Sequence, residues 1–122
     1  MKKILIIEDD EYFRLLISSF LESEGFDVLS AEHGFIGMIL AKEQKPNLII
    51  CDIRMPGIDG YGVLENLRKD ASTAIIPFFF LTFETTIDSR RRALEIGAND
   101  YLTKPVNLSE LLKKINMYLH AV

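Results

Sequence analysis

Five side chains in this sequence have the types needed to handle a phosphoryl group together: Glu8, Asp9, Asp52, Thr82 and Lys104. A carboxylate can attack phosphorus as a nucleophile and hold the group as an aspartyl phosphate. A lysine and a divalent cation can stabilise the negative charge that spreads over the transferring group. A hydroxyl can donate a hydrogen bond to one of its oxygens. Each residue alone has a plainer reading. The acid run "EDDE" at 8–11 is what a helix N-terminus favours, through capping and the helix dipole. Asp52 could cap the turn "RMPGIDG" that follows it. Thr82 could be structural and Lys104 a solvated charge. The sharper reading depends on whether the fold brings the five together. Three carboxylates at close range repel, and Lys104 neutralises only one of them. A cation with oxygen ligands would supply the rest, and Mg²⁺ suits one or two carboxylates with retained waters.

All five stand at the ends of short apolar runs. Ile4–Ile7, Phe26–Leu29, Leu48–Cys51, Phe78–Leu81 and Tyr101–Thr103 read as strands, and the first, third and fourth are apolar throughout, as strands buried on both faces are. Helical periodicity lies between them. Phe13, Leu16, Ile17, Phe20 and Leu21 form the first stripe, which Gly25 stops. Phe35–Ala41 carries a second helix, weakened by Gly34 and Gly37. Val63, Leu64 and Leu67 mark a third, and Ile87–Ile96 a fourth that ends at Gly97. Asn107 and Glu110, spaced as a capping box, open a fifth whose buried face is Leu108, Leu111, Leu112, Ile115 and Leu119. His33 and His120 fall in helical segments and read as surface residues.

Five βα units in succession predict an α/β fold, a doubly wound five-stranded parallel sheet of flavodoxin-like order 2-1-3-4-5. In such sheets ligands bind beyond the carboxyl ends of the strands, at the switch point between strands 1 and 3. Glu8, Asp9 and Asp52 should therefore converge, with Thr82 and Lys104 beside them.

The 122 residues fit a single domain spanning 1–122, and 48% apolar content is enough for a core. The net charge of −4 argues against nucleic acid or an anionic membrane surface as a direct partner. The lone cysteine, Cys51, allows no internal disulfide and fits a reducing compartment. No apolar run approaches the roughly 20 residues of a membrane span. The four apolar residues after "MKK" are too few for a secretory signal. The expected location is cytoplasmic.

The pieces "ILIIEDDE", "CDIRMPGIDG", "FFLTF" and "DYLTKP", in this order and at these separations, resemble the receiver domain of bacterial two-component response regulators, over the whole chain. The resemblance implies that Asp52 accepts a phosphoryl group from a phosphohistidine on a sensor histidine kinase or a histidine phosphotransfer protein. It implies Mg²⁺, or Mn²⁺ in its place, held by Asp9, by Glu8 largely through water, by Asp52 and by the backbone carbonyl of Arg54. Lys104 and Thr82 would bind the phosphoryl group, Tyr101 would be the switch aromatic that turns inward with Thr82, and the Lys104–Pro105 peptide would be cis. The last two strands and helices would form the output surface, with a phosphorylation-linked homodimer as one outcome. Such a protein is a phosphoacceptor and not an enzyme in its own right.

Two departures from the family pattern stand out. A small residue usually follows the threonine, and here it is Phe83, expected to narrow access to Asp52. Arg54 and Glu84, two past Asp52 and two past Thr82, carry opposite charges that could pair across the pocket and tune phosphoryl lifetime. Other readings fit less well. An FMN site needs a phosphate-cradling loop where "EDDE" stands. A P-loop needs "G-K-[ST]". A haloacid-dehalogenase-type phosphohydrolase wants an acid where Arg54 stands. The remaining alternative is a receiver that has lost phosphorylation and acts as an interaction module.

Overall fold

The computed structural model describes residues 1–119. Five strands and five helices alternate along the chain: β1 (Lys3–Ile7), α1 (Glu11–Ser23), β2 (Asp27–Ala31), α2 (Gly34–Gln44), β3 (Leu48–Cys51), α3 (Gly60–Lys69), β4 (Phe78–Thr82), α4 (Ile87–Glu95), β5 (Asp100–Thr103) and α5 (Leu108–Leu119). All neighbouring strands pair in parallel, in the order β2-β1-β3-β4-β5.

Strand alternation divides the core in two. Ile4, Ile6, Leu48, Ile50, Phe79 and Leu81 point to one face, where Ile17 and Leu21 of α1 and Leu111 and Ile115 of α5 cover them. Leu5, Ile7, Ile49, Cys51, Phe78 and Phe80 point to the other, under Met38 and Ala41 of α2, Val63, Leu64 and Leu67 of α3, and Ala93 of α4. Each fully buried side chain of this size contributes about 1.5–3 kcal/mol, so the apolar runs fix the register as well as the stability. Pro77 stands just before β4, where its missing N–H costs nothing; its carbonyl accepts from Ile49 N–H at 2.9 Å.

Several boundaries differ from the sequence reading. β2 runs two residues further, to Ala31, because it follows β1 to the end of its ladder, where Ile7 faces Ala31. His33 therefore lies outside a helix. It is the extended N-cap of α2, with φ −154° and no capping hydrogen bond from its side chain, and it is exposed. His120 lies outside the described residues. On α5, Leu111 and Ile115 are fully buried, while Leu108, Leu112 and Leu119 are only partly so. Asn107 caps α5 by accepting from Glu110 N–H at 3.0 Å.

Candidate functional site

The parallel sheet delivers the carboxyl ends of β1, β3, β4 and β5 to one edge of the molecule. Glu8 follows Ile7 directly, and Asp52 follows Cys51. The two are in register because Ile7 pairs with Cys51 and the Asp52 N–H bonds the Ile7 carbonyl at 3.0 Å. Carboxylate oxygens of Glu8, Asp9 and Asp52 lie within 4.8 Å of one another. Glu8 and Asp52 are buried, and Asp9 is exposed.

Lys104 reaches into this cluster from the end of β5. Its ammonium lies 2.9 Å from Asp52 Oδ2 and 2.5 Å from Glu8 Oε1. The other oxygen of Asp52 accepts from Ile53 N–H at 2.6 Å, and Glu8 Oε2 accepts from Asp10 N–H at 3.1 Å. The Lys104–Pro105 peptide is cis. Burial pushes the Glu8 carboxyl up to about 7, with the Asp52 charge adding to it and the Lys104 and Asp10 bonds opposing it. Burial also works against the charge on Lys104, but its bonds to Asp52 and Glu8 outweigh that and hold it above the ordinary lysine value. Three carboxylates cluster here, and the one ammonium bonds only Glu8 and Asp52. The excess negative charge, the oxygen-only donors and the exposed Asp9 at the edge fit a divalent cation.

Beside Asp52 opens a cleft of about 300 Å³ lined by Asp52, Arg54, Thr82, Phe83, Glu84, Thr85 and Thr86. Thr82 is buried at the end of β4, and its hydroxyl oxygen accepts from Glu84 N–H at 3.3 Å. Arg54 and Glu84 do pair: Nε lies 2.5 Å from Oε1, with Arg54 exposed and Glu84 half-buried. That bond and the Glu84 charge raise the Arg54 guanidinium further above its usual value. Phe83 lines the cleft, and its ring packs edge-on to Phe13. Tyr101 is buried and turned inward, its hydroxyl donating to the Glu84 carbonyl at 2.8 Å. Burial, with nearby Tyr61 and Glu84, pushes its phenol up to about 12.

Gly60 makes this packing possible. A Cβ there would fall 2.2 Å from the Asp52 carbonyl oxygen, so only glycine lets the first turn of α3 lie against the backbone just beyond β3. Its N–H bonds the Ile53 carbonyl at 2.8 Å, which closes the turn after Asp52.

Two contributors escape a sequence reading. Arg14 of α1 donates to the Glu8 carbonyl at 3.0 Å and fixes the backbone on which the acidic pair stands. Phe13 belongs to the apolar stripe of α1, but it is half-buried with its ring centroid 4.5 Å from the Lys104 ammonium. The i, i+3, i+4 pattern identifies an apolar face; it does not say that one member meets a lysine from β5. The run Arg90–Arg92 on α4 reads in sequence as a solvated face, or more sharply as a partner-binding patch, and the structure divides it. Arg90 lies over Tyr101 at 5.6 Å and Arg92 over Tyr61 at 4.1 Å, while Arg91 pairs with Asp88.

Residues 4–116 match the family described as "Response regulator receiver domain". Among curated proteins, the chain is 40% identical over 119 residues to Protein PilH of Pseudomonas aeruginosa, covering 98% of each. It is equally identical over 119 residues to the "DNA-binding dual master transcriptional regulator RpaA" of Synechocystis sp., covering 98% of this chain and 49% of that protein. The chain spans about half the length of most of the curated relatives it matches. Among solved structures, the chemotaxis protein CheY4 of Vibrio cholerae superposes with a TM-score of 0.91 at 28% identity, over 97% of this chain and 98% of that one.

Proposed function

The chain belongs to the response regulator receiver domain family, whose members are signalling phosphoacceptors of two-component systems and not catalytic enzymes, and from that premise we propose that residues 1–122 form one receiver unit phosphorylated on Asp52. The observation that carries this reading is the placement of Asp52. Its carboxylate is held by Lys104 and the Ile53 amide, beside Glu8 and Asp9, and it faces an open cleft. The donor is a phosphohistidine on a sensor histidine kinase or a histidine phosphotransfer protein. An Asp52 oxygen forms a bond to phosphorus as the P–N bond to imidazole breaks, and the electron pair of that bond returns to the ring.

Glu8, Asp9, Asp52 and the Arg54 carbonyl would hold Mg²⁺ or Mn²⁺. When bound, the cation supplies charge neutralisation between the acceptor carboxylate and the phosphoryl oxygens. The chain's own residues do the rest. Lys104 keeps Asp52 oriented and stays close enough to pair with a phosphoryl oxygen. The Thr82 hydroxyl can rotate from the Glu84 amide to donate to another. Glu84 is where Thr82 and Tyr101 meet, since its N–H bonds the Thr82 hydroxyl and its carbonyl accepts from Tyr101. Moving Thr82 therefore loads the loop that leads into α4. The α4–β5–α5 face is the output surface of this two-state element, for a protein partner or a second copy.

The direct test is incubation with acetyl phosphate and Mg²⁺, followed by intact mass, with Asp52→Asn as control. The parent should gain one phosphoryl group, and should gain none when Mg²⁺ is chelated beforehand. No gain in the parent would favour a module that works without phosphorylation. Among the described residues no helix is long and apolar enough to cross a membrane.

A further inference from the structure

Phe83 breaks the usual rule for a large apolar side chain. It follows a strand buried at every position, yet it is 61% exposed. Its ring packs edge-on against Phe13 of α1, with centroids 5.5 Å apart and planes at 76°. Both rings face the same group. The Lys104 ammonium lies 4.5 Å from the Phe13 centroid and 5.2 Å from that of Phe83, each within the roughly 6 Å reach of a cation–π contact. Lys104 has carboxylates on one side and aromatic faces on the other, and its side chain is only 1% exposed.

We propose that Phe13 and Phe83 are positioning residues that act through Lys104: together they form an aromatic roof that keeps the ammonium dry and aimed at Asp52, and so prolongs phosphoryl retention. The retention part rests on Asp52 being the phosphoacceptor; the shielding part does not. The roof has a physical cost and return. An ammonium away from water is expensive unless paired, and here two carboxylates pair it while two ring faces replace part of its hydration. In exchange, its attraction for an oxyanion is stronger than it would be in water. Loss of the phosphoryl group is attack by water. A water oxygen bonds to phosphorus, the P–O bond to Asp52 breaks with its electron pair returning to the carboxylate, and the water proton leaves with the phosphate or to solvent. Opening the roof admits water beside Lys104 and loosens its hold on the group under attack. This role is separate from any steric narrowing by Phe83, which also lines the cleft beside Asp52.

The experiment has two readouts on one set of variants. First, the lysines are acylated with N-hydroxysuccinimidyl acetate and each site is followed by peptide mass mapping, with no phosphodonor present. Lys104 should be the slowest lysine in the parent. Phe83→Ala should speed its acylation several-fold while the others stay unchanged, and Phe83→Leu, which keeps bulk but not the ring, should fall between. Phe13→Ala should act in the same direction. Phe83 is exposed, so Phe83→Ala decides the matter even if Phe13→Ala does not fold. An unchanged Lys104 rate in Phe83→Ala overturns the roof. Second, the lifetime of the phosphorylated protein should shorten several-fold in Phe83→Ala. Faster acylation with an unchanged lifetime overturns the retention role. Failure of the parent to take up a phosphoryl group would sink the phosphoacceptor reading and leave shielding to be judged by acylation alone.

Discussion

At the residue scale, the site is governed by an imbalance of charge, and that makes its mutations asymmetric. Lys104→Met would leave Glu8 and Asp52 buried without their cation, and breaking a buried pair in this way costs about 3–5 kcal/mol. Asp52→Asn leaves Lys104 still paired with Glu8 and removes a neighbour that opposes Glu8 ionisation, so it should cost far less or stabilise. Urea unfolding of the two variants checks the contrast, and equal losses would contradict it. Mg²⁺ should raise the melting temperature of the parent by mass action, and Asp9→Asn should abolish that rise. The Arg54–Glu84 pair lies across the cleft beside Asp52. A double-mutant cycle on the dephosphorylation rate should show coupling between the two, and additive effects would remove them as a tuning pair. Asp52, Thr82 and Lys104 were legible in the sequence because strand ends are legible, and a parallel sheet collects strand ends. The roof was not, because periodicity reports which face of α1 is apolar and not what each ring on that face meets.

At the element scale, the helices are held by different means. The sequence makes α2 look weak, with glycines at 34 and 37. Both are buried, and a Cβ at Gly37 would fall 2.5 Å from Ile7 Cδ1, so the low propensity is offset by close approach to β1. Gly60→Ala would force the Asp52 carbonyl and α3 apart, with an expected loss of about 1–3 kcal/mol as for other overpacked sites, read by chemical denaturation together with a slower phosphoryl uptake. On α4, Ala93 is the buried residue, and Ile87 and Leu94 are exposed. Tyr61 donates to the Ser89 carbonyl at 3.2 Å, and Arg90 and Arg92 lie over tyrosine rings. A helix attached this way has little apolar burial to lose when it moves. Native-state hydrogen exchange should find α4 opening more readily than α1 or α5, and Arg92→Ala should widen the gap. Equal protection across the three helices would contradict this. A triple-arginine run in sequence reads more readily as a solvated face than as a binding patch; only the positions of Tyr61 and Tyr101 assign two of the three to holding the helix.

At the scale of the whole molecule, the topology was the most legible feature. Apolar runs of three or four residues, separated by helical stripes, leave few arrangements other than a doubly wound sheet, and β2-β1-β3-β4-β5 places the acidic end of β1 against the end of β3. The ends of elements were less legible. β2 extends past its apolar residues because its ladder with β1 continues through Ser30 and Ala31, a gain of backbone hydrogen bonds that hydropathy does not register. The same topology concentrates the site chemistry at one edge, so the central claim reduces to a single residue. The measurement that tests it most directly is reductive trapping. The protein is incubated with acetyl phosphate and Mg²⁺ and treated with borohydride, which converts an aspartyl phosphate to homoserine, and its peptides are then mapped by mass. Homoserine at position 52, absent without donor, is the predicted result. Homoserine at another acid, or at none while the parent remains folded, would contradict it.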